Sequence, residues 1–159
     1  MTGLRRADKE ITDRGEVEQV LREAQVGRLG TSVEGRPYVV PLSFVYHEGA
    51  IIFHGAGEGK KMAEIARNPR VCFEVDAAEL IPSDNPCNFN FRYRSVIANG
   101  MAKILEDDPE ERLRCLRLLV EKYAPGMGSA MTAERMASFE GLAVVEIAVD
   151  EMTGKRSPA

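Results

Sequence analysis

The sequence predicts a mainly β fold with flanking helices, in which about six strands form a mostly antiparallel sheet that curls into a small closed or partly closed barrel. Strand-like segments follow one another with only short turns between them, which favours antiparallel pairing. These segments carry apolar residues on both faces, which favours closure. Strands and helices do not alternate, and no GxGxxG follows the first strand, which disfavours a doubly wound fold. The 159 residues are expected to form a single domain.

A charged segment, residues 1–12, opens the chain and is expected to be a loose arm. Asp13 followed by Glu16 resembles a capping box, which predicts that the first helix begins there. Apolar residues then recur at helical spacing and form one stripe: Val17, Val20, Leu21 and Ala24.

The next segment alternates between strand-like runs and turns. "VGRLGTSV" predicts a short strand, "EGRP" a turn, "YVVPLSFVYHEG" a longer strand and "AIIFHG" the return strand of a hairpin. Pro41 lies inside the longer strand and has no backbone N–H to donate, so this strand is expected to be bulged or to lie at a sheet edge. Backbone groups beside Pro41 are then free to face a ligand, although an ordinary edge proline explains the sequence equally well.

A helix is predicted after "HGAGEG" and ends at Asn68-Pro69, with an apolar side made by Met62, Ile65 and Ala66. "RVCFEVD" predicts a strand, and "YRSVIANGMAKILE" predicts a long one. Between them, residues 77–91 hold two prolines and show no clear period, which predicts a long loop.

The strongest helix start in the chain is at Asp108. This residue is the expected cap, Pro109 occupies the first helical position, and Glu110 and Glu111 lie favourably at the positive end of the helix dipole. Pro125 ends this helix. Its apolar side is expected to consist of Leu113, Leu116, Val120 and Tyr123.

The C-terminal part of the sequence predicts one more helix and one more strand. Thr132 is expected to start a short helix that contains Met136 and Phe139 and ends at Gly141. "LAVVEIAV" predicts the final strand, and "DEMTGKRSPA" is expected to be a short tail.

Composition excludes several classes of function. The net charge of −4 disfavours bulk attraction to nucleic acid. No apolar run reaches the length of about 18 residues that a membrane span needs, and the charged N-terminus does not resemble a secretory signal, so we expect a cytoplasmic protein with no membrane partner. The cysteines form no CxxC pair, and His47 and His54 do not share a helix face, so no metal site is expected.

Residues 54–61, "HGAGEGKK", place two lysines where a helix is predicted to begin. A helix N-terminus carries about half a positive charge and free N–H groups, so Lys60 and Lys61 are unfavourable there. A phosphate would reverse this effect, and Gly57 and Gly59 would let the backbone approach it. We interpret the stretch as a phosphate cradle. A glycine turn with two solvated lysines is the alternative, and the spacing is not that of a Walker loop.

Three segments carry a resemblance to a known family: "GRPYVVPLSFVY", "IIFHGAGEGKKMAEIARNPRVCFEVD" and "YRSVIANGMAKILED". Together with the opening "RRADKEITD", they resemble the FMN-binding split barrels related to pyridoxamine 5′-phosphate oxidase, and among these the nitroimidazole-resistance (Nim) branch. The resemblance runs over residues 5–155 and is weakest at 77–91 and 124–140. It implies a six-stranded, mostly antiparallel split β-barrel that forms a homodimer with FMN at the subunit interface.

The same resemblance implies which positions contact the flavin. They are Val40, Pro41, Leu42 and Ser43 along the isoalloxazine ring, His54 and Gly55 beside the ribityl chain, Ser95 as a further polar contact, and Lys60 and Lys61 at the phosphate. The longer C-terminal segment that supplies the oxidase with its substrate-binding arginine and histidine has no counterpart. Pyridoxal phosphate synthesis is therefore not expected.

The resulting hypothesis is an FMN-dependent oxidoreductase that passes electrons from NADH or NADPH to a small acceptor, such as a nitroaromatic or quinone-like compound. His54 is the candidate catalytic residue because imidazole titrates near neutrality, although a hydrogen-bonding histidine at a strand end explains it as well. Two other functions stay open. One is a non-catalytic protein that stores, senses or carries FMN, haem or a deazaflavin, and the other is a structural dimer with an empty pocket.

Two further segments are candidates for substrate contact. Arg92, Tyr93 and Arg94 form a basic, aromatic cluster that suits an anionic substrate or stacking on the flavin, with ordinary surface charge at a strand edge as the alternative. The segment from Cys87 to Phe91 is a candidate lid.

Overall fold

The computed structural model describes residues 6–158. These residues form eight β-strands and four α-helices. The strands are β1 (Glu10–Ile11), β2 (Gly27–Val33), β3 (Arg36–Leu42), β4 (Val45–His47), β5 (Ala50–Ala56), β6 (Arg70–Ile81), β7 (Asn90–Ile104) and β8 (Leu142–Arg156). The helices are α1 (Arg14–Glu23), α2 (Lys60–Arg67), α3 (Pro109–Tyr123) and α4 (Ala133–Ala137).

All strands belong to one sheet, and every pair in it is antiparallel. The strand order is β3-β2-β6-β7-β8-β5-β4, with β1 added beside β8. The mainly β, antiparallel prediction is confirmed. The sheet is not closed, because β3 and β4 lie at its two ends and do not pair with each other in the part of the chain that the structure describes. The strand count exceeds six because β1 was not predicted and because the predicted strand after "EGRP" is interrupted at residues 43–44.

Two apolar clusters lie on opposite sides of this sheet. The larger one packs α1 and α2 against the sheet, and its fully buried aromatic side chains include Phe44, Phe53 and Phe73. The smaller one packs α3 and α4 against β5 and β8, with Cys115 at its centre and no exposed surface on that residue. Two-sided burial explains why the sequences of β5 and of the first half of β8 are largely apolar instead of alternating.

The starts of α1 and α3 are where the sequence predicts them, and a side chain caps each of them. The Asp13 carboxylate accepts a hydrogen bond from the Glu16 backbone N–H at 3.0 Å. The Asp108 carboxylate accepts one from the Glu111 N–H at the same distance. Each cap satisfies one of the amides that a helix leaves free at its first turn.

Three predictions about irregular segments are wrong. Residues 77–91 are not a long loop, because β6 runs to Ile81 and β7 starts at Asn90, which leaves residues 82–89 as the connection. Residues 10–11 of the supposed loose arm pair with β8, and Ile11 is buried; residues 1–5 lie outside the described part. Residues 150–156 of the supposed tail belong to β8. Residues 10–11 and 150–156 pair with strands that are far away in the sequence, whereas the ends of β6 and β7 pair with each other across a short connection. Local composition reveals neither kind of pairing.

A contact from the end of α3 fixes the break between β3 and β4. The Tyr123 hydroxyl accepts a hydrogen bond from the Phe44 N–H at 2.9 Å. Its own proton faces two carbonyl oxygens, that of Gln25 at 2.7 Å and that of Phe44 at 2.9 Å. Phe44 lies between β3 and β4, where its backbone groups have no partner in the sheet. The Tyr123 hydroxyl supplies that partner.

We expect Tyr123→Phe to lower the free energy of unfolding by about 1–2 kcal/mol, because it removes the hydroxyl and leaves the Phe44 amide without its partner. Urea denaturation measures the change. The matched control is Tyr93→Phe, which removes a hydroxyl from a tyrosine on β7 and is expected to change stability by less than about 0.5 kcal/mol. Equal losses in the two variants would contradict this assignment.

The neighbouring Lys122 makes unfolding pH-dependent. Its ammonium donates to the Ala24 carbonyl oxygen at 2.6 Å and lies 3.9 Å from the centroid of the Phe44 ring. Burial lowers the pKa of this lysine to about 8, from an ordinary value of 10.5. Between these two pH values the unfolded chain binds more protons than the folded one, so the contribution of Lys122 to stability rises with pH.

We therefore expect the difference in free energy of unfolding between the wild type and Lys122→Gln to shift in favour of the wild type as pH rises from about 8 to about 10. Denaturant titrations at several pH values measure it. Lys103→Gln, which makes the same substitution at an exposed position on β7, is the control. A flat difference for Lys122→Gln would contradict the burial argument.

Candidate functional site

The glycine loop between β5 and α2 is held at both ends. Gly57 donates its N–H to the Gly141 carbonyl oxygen at 2.7 Å, which fixes the loop to the start of β8. A Cβ atom on Gly57 would lie 3.1 Å from the same oxygen, so the contact is close. Gly59 is the N-cap of α2 and has a φ of 105°, a conformation that favours glycine. The sequence prediction that a helix begins at Lys60 is confirmed.

The N-terminus of α2 presents unpaired donors. The first helical hydrogen bond runs from the Ala63 N–H to the Gly59 carbonyl oxygen, at 3.1 Å. The backbone N–H groups of the three residues before Ala63 therefore have no hydrogen-bond partner within the helix. No side chain caps this end, and the first turn contains no acidic residue. The partial positive charge of the helix N-terminus is therefore not compensated by a carboxylate of its own first turn.

The two lysines that begin α2 have different surroundings. The Lys60 Nζ lies 4.3 Å from the centroid of the Tyr38 ring and 3.8 Å from Glu64 Oε1. The half-buried Lys61 turns towards β5, and its Nζ lies 5.7 Å from the Phe53 ring centroid. Within residues 6–158, no carboxylate oxygen is within 4.0 Å of the Lys61 Nζ. Lys61 is thus the cation left available for an external anion.

Gly55 makes room for the Lys61 ammonium. A Cβ atom built on Gly55 would lie 2.9 Å from the Lys61 Nζ, which is closer than real Cβ contacts allow. Glycine at this position therefore lets the ammonium lie directly against the β5 backbone. The combination of an open cation, free amides and absent side chains is the chemistry that binds phosphate at helix N-termini.

His54 lies on β5 opposite Val144 of β8, one residue before the glycine loop begins. Burial and the nearby Lys61 charge lower the pKa of its imidazole. The neutral form is therefore favoured at neutral pH. A neutral imidazole offers one donor and one acceptor nitrogen.

The predicted edge position of Pro41 is confirmed, since β3 is the last strand at one end of the sheet. Pro41 pairs with Arg28 of β2, and both Pro41 and Ser43 are exposed. Val40 and Leu42 are half-buried against the larger apolar cluster. The Lys60–Tyr38 contact brings β3 beside the start of α2, so the strand and the two lysines form one continuous surface.

Ser95 is not part of that surface within one chain. It lies on β7 opposite Asp76, and both β2 and β6 separate β7 from β3. At about 4.8 Å per strand, three strand spacings correspond to roughly 14 Å.

The sequence analysis missed Tyr38 and Glu64. Glu64 accepts a hydrogen bond from the buried Thr31 hydroxyl and thereby ties α2 to β2. The period of two along β3 places Tyr38 on the same face as the predicted contact Val40, so strand alternation contained the signal for Tyr38. Nothing local to residue 64 indicates its partner, which comes from a strand 33 residues earlier.

The arginine cluster before Ser95 is balanced by acidic side chains. Arg92 pairs with Glu79 at 3.0 Å, and Arg94 pairs with Glu23 of α1 at the same distance. Both arginines line a groove of about 1140 Å³, together with Phe91 and Tyr93. This groove does not include the glycine loop. The pairing favours the interpretation of the cluster as surface charge.

Three potential metal ligands lie close together on α3 and β8. The side-chain atoms of Glu111, Cys115 and Glu146 lie within 4.8 Å of one another. Arg114 lies 2.5 Å from Glu111 and 3.7 Å from Glu146, and so supplies the balancing charge itself. Burial raises the pKa of the Cys115 thiol to about 11, which disfavours the thiolate that binds metals. The group is therefore interpreted as a structural ion-pair cluster.

In residues 6–158, none of the helices has the length and apolar character needed to cross a membrane.

Comparison with known proteins places the chain among related sequences. The family model described as pyridoxamine 5′-phosphate oxidase matches residues 13–156. A 5a,11a-dehydrotetracycline/5a,11a-dehydrooxytetracycline reductase of Streptomyces rimosus is 36% identical over 97 residues. That match covers 58% of this chain and 63% of the reductase, so the chain spans less than two thirds of that relative.

Solved structures share the fold over most of the chain. A protein of Bacteroides thetaiotaomicron, provisionally assigned to 5-nitroimidazole antibiotic resistance, is 26% identical with a TM-score of 0.75, covering 92% of this chain and 85% of that one. A flavocytochrome of Azotobacter vinelandii is 22% identical with a TM-score of 0.83, covering 99% and 73%. An FAD- and haem-binding protein of Mycobacterium smegmatis is 18% identical with a TM-score of 0.81, covering 95% and 74%.

Proposed function

The chain belongs to the pyridoxamine 5′-phosphate oxidase family of flavin-binding split barrels, and on that basis we propose that it binds FMN and transfers electrons from a reduced nicotinamide to a small organic acceptor. The observation that carries the proposal is the Lys61 ammonium, which lies against Gly55 beside the free amides of α2. A dianionic phosphate would complete this arrangement by supplying the missing negative charge.

The residues present fit such a cofactor. Lys61 and the first amides of α2 would hold the phosphate, and Lys60, already in contact with Tyr38, would add a second charge at its edge. The ribityl chain would pass His54 and Gly55, and the isoalloxazine ring would lie along the β3 segment Val40, Pro41, Leu42 and Ser43. Bound FMN would supply the two-electron chemistry, while the chain supplies binding and orientation.

Ser95 enters this proposal through a second copy of the chain. Because β2 and β6 separate it from β3, we assign its flavin contact to the partner subunit of a homodimer. The uncovered side of β7 supports a dimer: Ile97 and Met101 there are 45% and 42% exposed, on a strand whose other face is core. Apolar side chains on the solvent face of an antiparallel strand are typical of a covered surface.

The names of the relatives support a reductase that acts on a small organic molecule. One relative is named as a dehydrotetracycline reductase, and one structural neighbour as a nitroimidazole resistance protein. From these we propose an electron-poor organic acceptor, with a nitroaromatic or quinone-like compound as the first substrates to assay. The free thiols of Cys72, Cys87 and Cys115 suit the reducing cytoplasm in which NADH and NADPH are available.

His54 is the proposed proton donor or hydrogen-bonding residue beside the flavin. Its lowered pKa means that the imidazole at neutral pH would donate a hydrogen bond through one nitrogen rather than deliver a proton as imidazolium. A contribution of imidazolium to turnover would therefore increase as pH falls. His54→Gln keeps a hydrogen-bond donor but removes this titration, so its pH–rate profile tests the role.

The alternative is a non-catalytic protein that holds FMN, haem or a deazaflavin. The haem-binding form of this alternative is favoured by the neutral His54 imidazole, because neutral imidazole is the form that ligates haem iron. Two structural neighbours are named as haem-containing proteins, at identities that show only a shared fold.

One set of spectra separates these functions. We expect the purified protein to show flavin absorption bands, or to gain them on titration with FMN, and to be bleached by NADH or NADPH under anaerobic conditions. Subsequent addition of a nitro compound should restore the bands. A Soret band would favour haem storage or sensing, and bound flavin that neither nicotinamide reduces would favour the non-catalytic function. A colourless protein that does not take up FMN would overturn the proposal.

A further inference from the structure

The start of β8 is paired with a strand on one edge only. The pairing of β7 with β8 ends at Ile104 and Val145, whereas β5 stays beside β8 as far as the pair of Ala56 and Leu142. Carbonyl groups two residues apart along a strand face the same edge, so the oxygens of Val144 and Leu142 both face the side that β7 has left. Each of these oxygens needs a donor from outside the sheet.

Two groups near the start of α3 supply these donors. The Leu105 N–H donates to the Val144 carbonyl oxygen at 2.9 Å. The Arg112 guanidinium donates through Nη2 to the Leu142 carbonyl oxygen at 2.7 Å. The first turn of α3 fixes the backbone of Arg112, whose N–H donates to the Asp108 carbonyl oxygen at 3.0 Å. Arg112 therefore continues, with a side chain, the hydrogen bonding that β7 no longer provides.

The Arg112 guanidinium is not placed for an ion pair. The neighbouring Arg114 pairs with Glu111 and Glu146, whereas Arg112 forms no ion pair in the described part of the chain. Its Nε atom is buried and has no hydrogen-bond partner among these residues. An unpaired buried polar atom costs stability, and such costs are typical of side chains that serve a functional site. The contact with the Leu142 carbonyl is thus the feature of Arg112 that needs an explanation.

The opposite edge of the same segment holds the glycine loop. The Gly141 carbonyl oxygen accepts a hydrogen bond from the Gly57 N–H at 2.7 Å. Among residues 57–59, which connect β5 to α2, the Gly57 amide is the one with a backbone partner in the described part. Gly141 has a φ of 67°, a conformation that favours glycine, so contacts of the adjacent Leu142 help to set the direction of its carbonyl.

We propose that Arg112 is a positioning residue for the phosphate site. It holds the Leu142 carbonyl on one edge of β8, which fixes the Gly141 peptide and, through it, Gly57 and the free amides at the start of α2. Arg112 acts through the backbone and does not itself contact the phosphate. The inference rests on the proposed function, because the anion that the loop holds is the phosphate of the proposed FMN.

Arg112→Met tests this inference through the affinities for FMN and for riboflavin, which lacks only the phosphate. We expect the dissociation constant of FMN to rise roughly five- to twentyfold, because the displaced loop loses contacts with the phosphate. The dissociation constant of riboflavin should stay within about twofold of the wild-type value, because the ring and ribityl contacts are unchanged. Fluorescence titration measures both.

Two further variants separate positioning from a general loss of structure. Arg112→Lys keeps a cation that can donate to the Leu142 oxygen, and it should restore the FMN affinity to within about threefold of the wild type. Arg117→Met is the matched control, since the Arg117 Nε on the same helix also donates to a backbone carbonyl, that of Met131, at 3.0 Å. It is expected to change neither affinity by more than about twofold.

Hydrogen exchange of the flavin-free protein gives a second measurement. In Arg112→Met, the Gly57 amide should exchange roughly tenfold faster than in the wild type, because its acceptor is no longer held in place. The amides of residues 71–75 in β6 should keep their protection, which excludes global unfolding as the cause. Arg112→Lys and Arg117→Met should leave the exchange of Gly57 close to that of the wild type.

The outcomes that contradict the inference are distinct from those that contradict the proposed function. Equal losses of FMN and riboflavin affinity in Arg112→Met would overturn the positioning role, because they would show a general effect on the sheet. An unchanged FMN affinity together with unchanged exchange of Gly57 would also overturn it. A wild type that binds neither flavin would overturn the proposed function and the positioning of its phosphate together.

Discussion

Lys61→Ala is expected to weaken FMN binding by about 10- to 100-fold, because one charge-assisted contact to phosphate contributes about 1.5–3 kcal/mol. The structure gives a reason for a large effect at this position: the Lys61 ammonium has no carboxylate within 4.0 Å among the described residues, so a bound phosphate would not compete with an internal partner. Fluorescence titration of FMN measures the change, since flavin emission responds to binding.

Lys60→Ala is the matched control for this effect. It removes the same charge from the adjacent residue, but the Lys60 ammonium already contacts Tyr38 and Glu64. We expect a loss of affinity several times smaller than for Lys61→Ala. Equal losses would mean that only summed charge matters, and an unchanged affinity in both variants would remove the phosphate cradle and favour a dimer with an empty pocket.

The start of α2 was predictable from the sequence because its determinants are local. Gly57, Gly59 and the two lysines are adjacent in the chain, and a glycine N-cap followed by a helical stripe is a short-range signal. The difference between Lys60 and Lys61 was not predictable. It arises from Tyr38 on β3 and from Phe53 on β5, and only the folded sheet brings these rings beside the lysines.

The same distinction applies to the fold. The caps at Asp13 and Asp108 depend on residues three positions away, and both were predicted correctly. The outer part of β6, with its Ala77-Ala78-Glu79 sequence, has little intrinsic strand preference and is extended because β7 pairs with it. The end of β8 is extended for the same reason, since it pairs with β7 and β1 at once. Pairing with a neighbouring strand overrides weak local preference in both segments.

Phe73→Ala is expected to lower the free energy of unfolding by about 3–5 kcal/mol, the usual cost of removing a buried aromatic side chain. Phe73 on β6 is fully buried, and its ring centroid lies 4.8 Å from that of Phe44 in an edge-to-face arrangement. Phe44 in turn occupies the break between β3 and β4, so the cavity would lie beside that break. Urea denaturation measures the loss, and Phe139→Ala, at an exposed position, is the control with an expected change below about 0.5 kcal/mol.

A double-mutant cycle with Gly27 shows whether the Phe73 ring fills that space. A Cβ atom on Gly27 would lie 2.3 Å from the Phe73 ring, so Gly27→Ala alone should be destabilising by about 1–3 kcal/mol through overpacking. In the Phe73→Ala background the obstructing ring is gone, and the added methyl group occupies part of the cavity. We therefore expect Gly27→Ala to be neutral or stabilising there, which gives a coupling energy above about 1 kcal/mol. If the two changes in the free energy of unfolding are additive, the Phe73 ring is not the reason that position 27 requires glycine.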